Sequence, residues 1–218
     1  MSSVKNNINI NVFWPFGPPI AKTKIPDNIL IKLNDYFEST INDEKKAQQL
    51  DHGKYLAGLV SKEILIKNEY AKECGWLDFL ANITKAYIKV ATQKEITKFT
   101  LHSSWLVSQF KNEYNPTHFH GGHISGAGFL KVPETMGEAY QNKSKFNFNG
   151  NLQLIHGSQQ FISNSLFNIK PQVGDFYLFP HYMMHTVFPF RQTDQERRSV
   201  SFNAYIDENI YNVYEDKL

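Results

Sequence analysis

Beyond about residue 95 the chain breaks into short runs of β-forming residues separated by Gly, Pro and Asn, and this texture limits the fold more than any other feature. Candidate strands are 98–110, 118–120, 125–132, 151–155, 175–179, 185–190 and 197–206. Many short strands with frequent turn residues lead to a sandwich or a barrel. The first half has a different period. From Pro26 the pattern is helical, with Asp27 suited to a helix N-terminus and Ile29, Leu33, Phe37 and Ile41 at steps of four. A second helix is expected to begin near Ser61. A third follows Gly75, where Trp76, Phe79, Leu80, Ile83, Tyr87 and Val90 form an apolar stripe that reads as core. Before them, Ile8 to Trp14 is a short apolar stretch, and Pro15 to Pro19 an extended segment suited to covering a sheet edge. Helices first and strands second predict an α+β class, with the helices packed on one sheet. One domain is expected over 1–218, with 1–95 as mainly helical support and 96–210 as the β core.

The chain's chemistry excludes several functions. Its 218 residues carry a net charge of +2 with the signs interspersed, so there is no basic stripe for a nucleic acid to neutralise. Cys74 is the only cysteine, which rules out a disulfide within the chain and fits a reducing, cytoplasmic setting. No run approaches the roughly 18 apolar residues of a spanning helix. The stretch Met1 to Asn11 is polar and Asn-rich, unlike a signal peptide.

Of the eight histidines, three carry the functional argument. His118 and His120 flank Phe119, and residues i and i+2 of a strand point to the same side. His185 stands on a later strand. Two close imidazoles and a distant third make a facial cap on a metal, with the remaining positions open to other ligands. Imidazole suits iron, zinc, copper and nickel alike, so the histidines do not choose the metal. In the run from Arg197, alternation puts Arg197, Ser199, Ser201 and Asn203 on one face and Arg198, Val200, Phe202 and Ala204 on the other. An inward arginine with a serine two residues on offers two parallel donors and a hydroxyl, a good match to a carboxylate.

These residues, taken in order, make the chain resemble the iron(II)- and 2-oxoglutarate-dependent oxygenases of the prolyl-hydroxylase-like branch, near their small bacterial and phage members. The resemblance covers roughly residues 99–207. It rests on Trp105, on Asn115-Pro116-x-His118-x-His120 leading to Ser125-Gly126 and Lys131-Val132-Pro133, on Gly174-Asp175-Phe176-x-Leu178-Phe179-Pro180 with His185, and on Glu196-Arg197-x-Ser199-x-Ser201-Phe202-Asn203. It implies a double-stranded β-helix, a jelly-roll related to cupins. It also implies iron(II) as the metal, with His118 and His185 as ligands and His120 where the family usually has Asp or Glu. Arg197 with Ser199 would bind the distal carboxylate of 2-oxoglutarate, Arg198 being the alternative anchor and Tyr114 a further candidate contact. His120 has three readings: a true third ligand, which we favour; an outer residue with water in the vacant position; or the first ligand, with Gly122 in the carboxylate position as in halogenating relatives.

The reaction so implied is hydroxylation of an unactivated C–H bond, with release of succinate and CO2. By analogy with prolyl hydroxylases the substrate is a peptide or protein side chain. Tyr114, Trp105, Tyr182 and Tyr205 are candidates to line a pocket, and His123, His156 and His181 are spare contacts. Two rivals remain: a cupin-type metalloenzyme with three histidines and no 2-oxoglutarate, which has no need of Arg197–Ser199, and a non-catalytic jelly-roll used for binding.

Overall fold

The computed structural model describes residues 9–140 and 145–212, so the first eight residues of the Asn-rich start lie outside it. Its elements are β1 (Asn11–Phe13), β2 (Ile20–Lys24), α1 (Asp27–Ile41), α2 (Glu44–Gln49), β3 (Lys62–Leu65), α3 (Asn68–Glu73), α4 (Trp76–Thr92), β4 (Phe99–Gln109) and β5 (Asn115–His118). There follow β6 (Ile124–Lys131), β7 (Leu152–Ile155), β8 (Leu166–Ile169), β9 (Asp175–Pro180), β10 (Met184–Val187), β11 (Arg197–Ile206) and α5 (Glu208–Tyr211). None of the described helices is long and apolar enough to cross a membrane.

The strands form two antiparallel sheets, a seven-stranded one in the order β1-β2-β9-β6-β11-β4-β3 and a four-stranded one in the order β5-β10-β7-β8. This is the double-stranded β-helix, an α+β fold with a major and a minor sheet. The major sheet takes three of its strands, β1, β2 and β3, from the half expected to be helical. The expected helix near Ser61 is edge strand β3, with Glu63 opposite Val107, followed by the short α3. Ser61 followed by Glu63 imitates a helix start, but pairing with β4 satisfies the segment's backbone instead.

Period-two alternation assigns the two faces of the major sheet. Phe176 and Leu178 of β9, with Val200, Phe202 and Ala204 of β11, pack against α1 and α4. Tyr177 and Phe179 point the other way and join Phe129, Leu152 and Leu154 between the sheets. Helix α4 buries Trp76, Leu80 and Ile83 completely, each worth about 1.5–3 kcal/mol on leaving water. Trp76 also donates Nε1–H to Ser104 Oγ at 2.9 Å, which fixes α4 against β4. The helical layer thus holds one face rigid, and the other face is free to build a site.

Candidate active site

The site lies between the sheets. Antiparallel pairing of β5 with β10 sets His118 directly opposite His185. The expected strand 118–120 ends at His118, and His120 follows in an irregular segment. Its position is fixed by main-chain bonds instead: its N–H donates to His181 O at 3.1 Å, and His181 Nδ1 lies 3.0 Å from His120 O. Three residues on, the His123 N–H donates to Ala204 O. Gly122 makes the turn between them at φ +90°, where a Cβ would stand 2.9 Å from Ala204 O. Position 122 therefore has no room for a side chain of any kind, and its glycine is required by the backbone.

The three rings converge. Centroids are 4.2 Å apart for His118 and His185, 4.6 Å for His120 and His185, and 5.2 Å for His118 and His120. One nitrogen from each lies within 4.8 Å of the others, an arrangement able to hold a metal ion. His118 Nδ1 approaches Pro116 O at 2.6 Å, and His185 Nδ1 approaches Met183 O at 2.8 Å. As donors to carbonyls, both Nδ1 atoms carry the proton, which leaves each Nε2 lone pair for the shared centre. His120 Nδ1 is buried with no hydrogen-bond partner. Burial, reinforced by the neighbouring imidazoles, pushes His120 down to about 2 and His185 to about 4; His118 is also lowered, by burial. All three are thus neutral at pH 7, the form in which histidine binds metal.

Arg197 opens onto the same cavity, as do Ser199 and Ser201. Its side chain is 2% exposed and sits over the Phe129 ring at 5.1 Å. It donates to Gly150 O (3.2 Å), Gln109 Oε1 (3.1 Å) and Ser199 Oγ (3.5 Å). No acidic side chain pairs with it among the described residues. Burial pulls its pKa down to about 10, so it is a cation without an anion. Arg198 faces the helices, bound by Glu196 at 2.6 Å and Glu38 at 2.7 Å and stacked on Phe37 at 3.9 Å. Its charge is already matched, which gives it a structural role in tying α1 to β11.

Of the aromatic candidates, Trp105 lines the cavity, 5.4 Å from His120. Tyr114 is not among the lining residues: it is 40% exposed, and its backbone bridges to Leu59. Tyr205 packs on His102 and His123, and Tyr182 on His156 and His181. Sequence reasoning missed Gln109, which lies opposite Arg197 in the β4–β11 register, and Gly150, whose carbonyl receives the guanidinium. Neither carries a local signal, because each is defined by a partner far along the chain.

Residues 103–203 match the model of a family of 2OG-Fe(II) oxygenases. No curated protein sequence matches the chain. Among solved structures, a prolyl-4-hydroxylase of Pseudomonas putida superposes with TM-score 0.55 at 11% identity, over 87% of this chain and 92% of that one. The viral collagen prolyl hydroxylase of Paramecium bursaria Chlorella virus-1, solved with 2OG, gives 0.52 at 13% identity, over 84% and 94%. HygX of Streptomyces hygroscopicus, solved with nickel, 2-oxoglutarate and hygromycin B, gives 0.54 at 11%, over 85% and 82%. At these identities the structures show a shared fold.

Proposed function

We propose that this chain, whose residues 103–203 match the model of a 2OG-Fe(II) oxygenase family, hydroxylates a C–H bond of its substrate while converting 2-oxoglutarate to succinate and CO2. The observation that carries this reading is a buried arginine without a carboxylate partner, in one cavity with three converging neutral imidazoles. Burying a guanidinium unmatched is costly, and a dianionic cosubstrate removes that cost.

The residues present fit both groups. His118, His120 and His185 would hold iron(II), since one nitrogen of each ring lies within 4.8 Å of the others. Bound there, iron supplies the activation of O2 that couples 2-oxoglutarate decarboxylation to insertion of one oxygen atom into the substrate. The rest is the protein's work. Arg197 and Ser199 would receive the distal carboxylate and set the cosubstrate's direction along the cavity. Gln109 and Gly150 hold the guanidinium in place from behind. Phe129 and Leu152 line the wall and exclude water. With three neutral ligands the protein leaves iron's two charges unbalanced, which strengthens its hold on an anionic cosubstrate. A peptide or protein side chain is our first choice of substrate, by analogy with the prolyl hydroxylases.

Incubation of the protein with Fe(II), 2-oxoglutarate and O2 tests the reading. Succinate and CO2 should form in equal amounts, and both should stop without Fe(II). Turnover unaffected by Arg197→Met would refute the anchor. A metal-loaded protein that neither binds nor consumes 2-oxoglutarate would be a three-histidine enzyme of the cupin kind.

A further inference from the structure

One carboxyl in the cavity is unused by this mechanism. On β3, Ile64 points into the helical core, so Glu63 points the opposite way, between the sheets. It is 4% exposed, and its Oε1 has no hydrogen-bond partner. Glu63 forms the wall between two openings. On one side is the cavity of His118, His120, His185 and Arg197; on the other is a groove of about 530 Å³ that also touches Glu44 and Asp51. That volume suits a small molecule or a single side chain.

The loop before β3 makes room for this carboxyl. A Cβ at Gly58 would lie 2.9 Å from Glu63 Oε1 and 2.8 Å from Asn115 Nδ2, and one at Gly53 would lie 3.3 Å from Glu63 Oε2. Glycine thus faces each oxygen where any larger residue would crowd it. A carboxyl buried without a partner destabilises the fold unless something binds it. Burial, with Asp51 nearby, raises its pKa to about 7, so a cation arriving beside it would complete its ionisation.

We propose that Glu63 selects the substrate, its Oε1 receiving a basic nitrogen such as an amine or guanidine where the groove meets the histidine cavity. The assignment rests on the oxygenase reading for its place beside the reacting centre, whereas the binding site itself is independent of it. Recognition by a charge-assisted hydrogen bond, in a cavity that Trp105, Val107 and Asn115 also line, favours a cationic side chain over its neutral isostere.

The test compares n-butylammonium, butylguanidinium, n-butanol and butyrate as probes on protein loaded with diamagnetic Zn(II) and 2-oxoglutarate, by saturation-transfer NMR titration. Binding of 2-oxoglutarate to the same Zn(II) protein is measured beforehand by calorimetry. Wild type should bind the two cations about tenfold or more tighter than butanol, with butyrate weakest. Glu63→Gln should erase the preference, and Glu63→Asp should keep part of it. Gly58→Ala should reduce it with the carboxyl intact, by crowding Oε1. Equal binding of cations and butanol by wild type that binds 2-oxoglutarate would overturn the inference, as would a preference that survives Glu63→Gln. A Glu63-dependent preference in protein that does not bind 2-oxoglutarate would uphold the site and refute the oxygenase reading.

Discussion

Replacing Arg197 by methionine should leave the fold almost as stable as before while stripping it of its cosubstrate. Burial holds the guanidinium at a pKa of about 10 against its ordinary 12.5. At about 1.36 kcal/mol per unit, keeping this charge inside costs the folded protein roughly 3 kcal/mol. Methionine removes that cost and retains much of the volume. It also removes the three hydrogen bonds to Gly150 O, Gln109 Oε1 and Ser199 Oγ, each worth about 1–1.5 kcal/mol. The two effects nearly cancel, so the melting temperature without ligand should move by no more than about 4 °C. Cosubstrate binding has no such compensation. At about 100 times its Kd, 2-oxoglutarate adds roughly 2.7 kcal/mol to metal-loaded wild type, a rise of about 5–11 °C. Losing one partner of a buried charge pair costs about 2–5 kcal/mol, which weakens binding about 30-fold or more. The same ligand concentration should then raise the variant by only about 2–3 °C. Scanning fluorimetry with Mn(II), with and without 2-oxoglutarate, measures both quantities. A full ligand-induced shift in the variant would refute the anchor, and a loss of more than about 10 °C without ligand would make Arg197 a structural residue.

Three further predictions concern stability. His185 and His120 have folded pKa values of about 4 and about 2, below the roughly 6.5 of the unfolded chain. As pH falls below about 6.5 the unfolded chain binds protons first, so metal-free protein should lose about 1.4 kcal/mol per unit for each group; a urea midpoint flat from pH 7 to 5 would contradict this. Glu63 is shifted the other way, to about 7, so the stability tied to its neutral form is present at low pH and lost as pH rises through 7. Glu63→Gln should therefore stabilise the protein by about 2–3 kcal/mol more at pH 8 than at pH 5, read from urea midpoints at the two values. Gly122→Ala, at φ +90° and against Ala204 O, should cost about 2 kcal/mol or more, and an unchanged melting temperature would show that the turn has another conformation.

The parts of this fold legible in the sequence are those with a long local period. Helix α4, 17 residues long, carries an apolar stripe that is core except for the exposed Val90, and β11 alternates over 10, long enough to separate the face of Arg197 from that of Arg198. The double-stranded β-helix itself came from the resemblance, since composition and turns reached only a sandwich or barrel. Short elements escaped. β3 and β8 are four residues each, and β2 begins after a run of prolines, so each is defined by the strand it pairs with. Helix α2 was missed although Asp43 Oδ1 caps it by accepting from the Lys46 N–H, because it buries no apolar face. The histidines were found by chemistry and spacing. The support of Arg197 by Gln109 was not, because the two lie 88 residues apart and meet only through strand register. Glu63 was placed on a helix, and only its strand parity turns it toward the cavity.

The most direct measurement is an anaerobic titration of the protein with Fe(II) and then 2-oxoglutarate, following the weak visible charge-transfer absorption expected when a 2-oxo acid chelates iron(II). The account predicts that the band develops at one equivalent of each in wild type, is lost in His120→Ala through lost iron, and needs far more 2-oxoglutarate in Arg197→Met. Iron bound at one equivalent with no band at any 2-oxoglutarate concentration would contradict it.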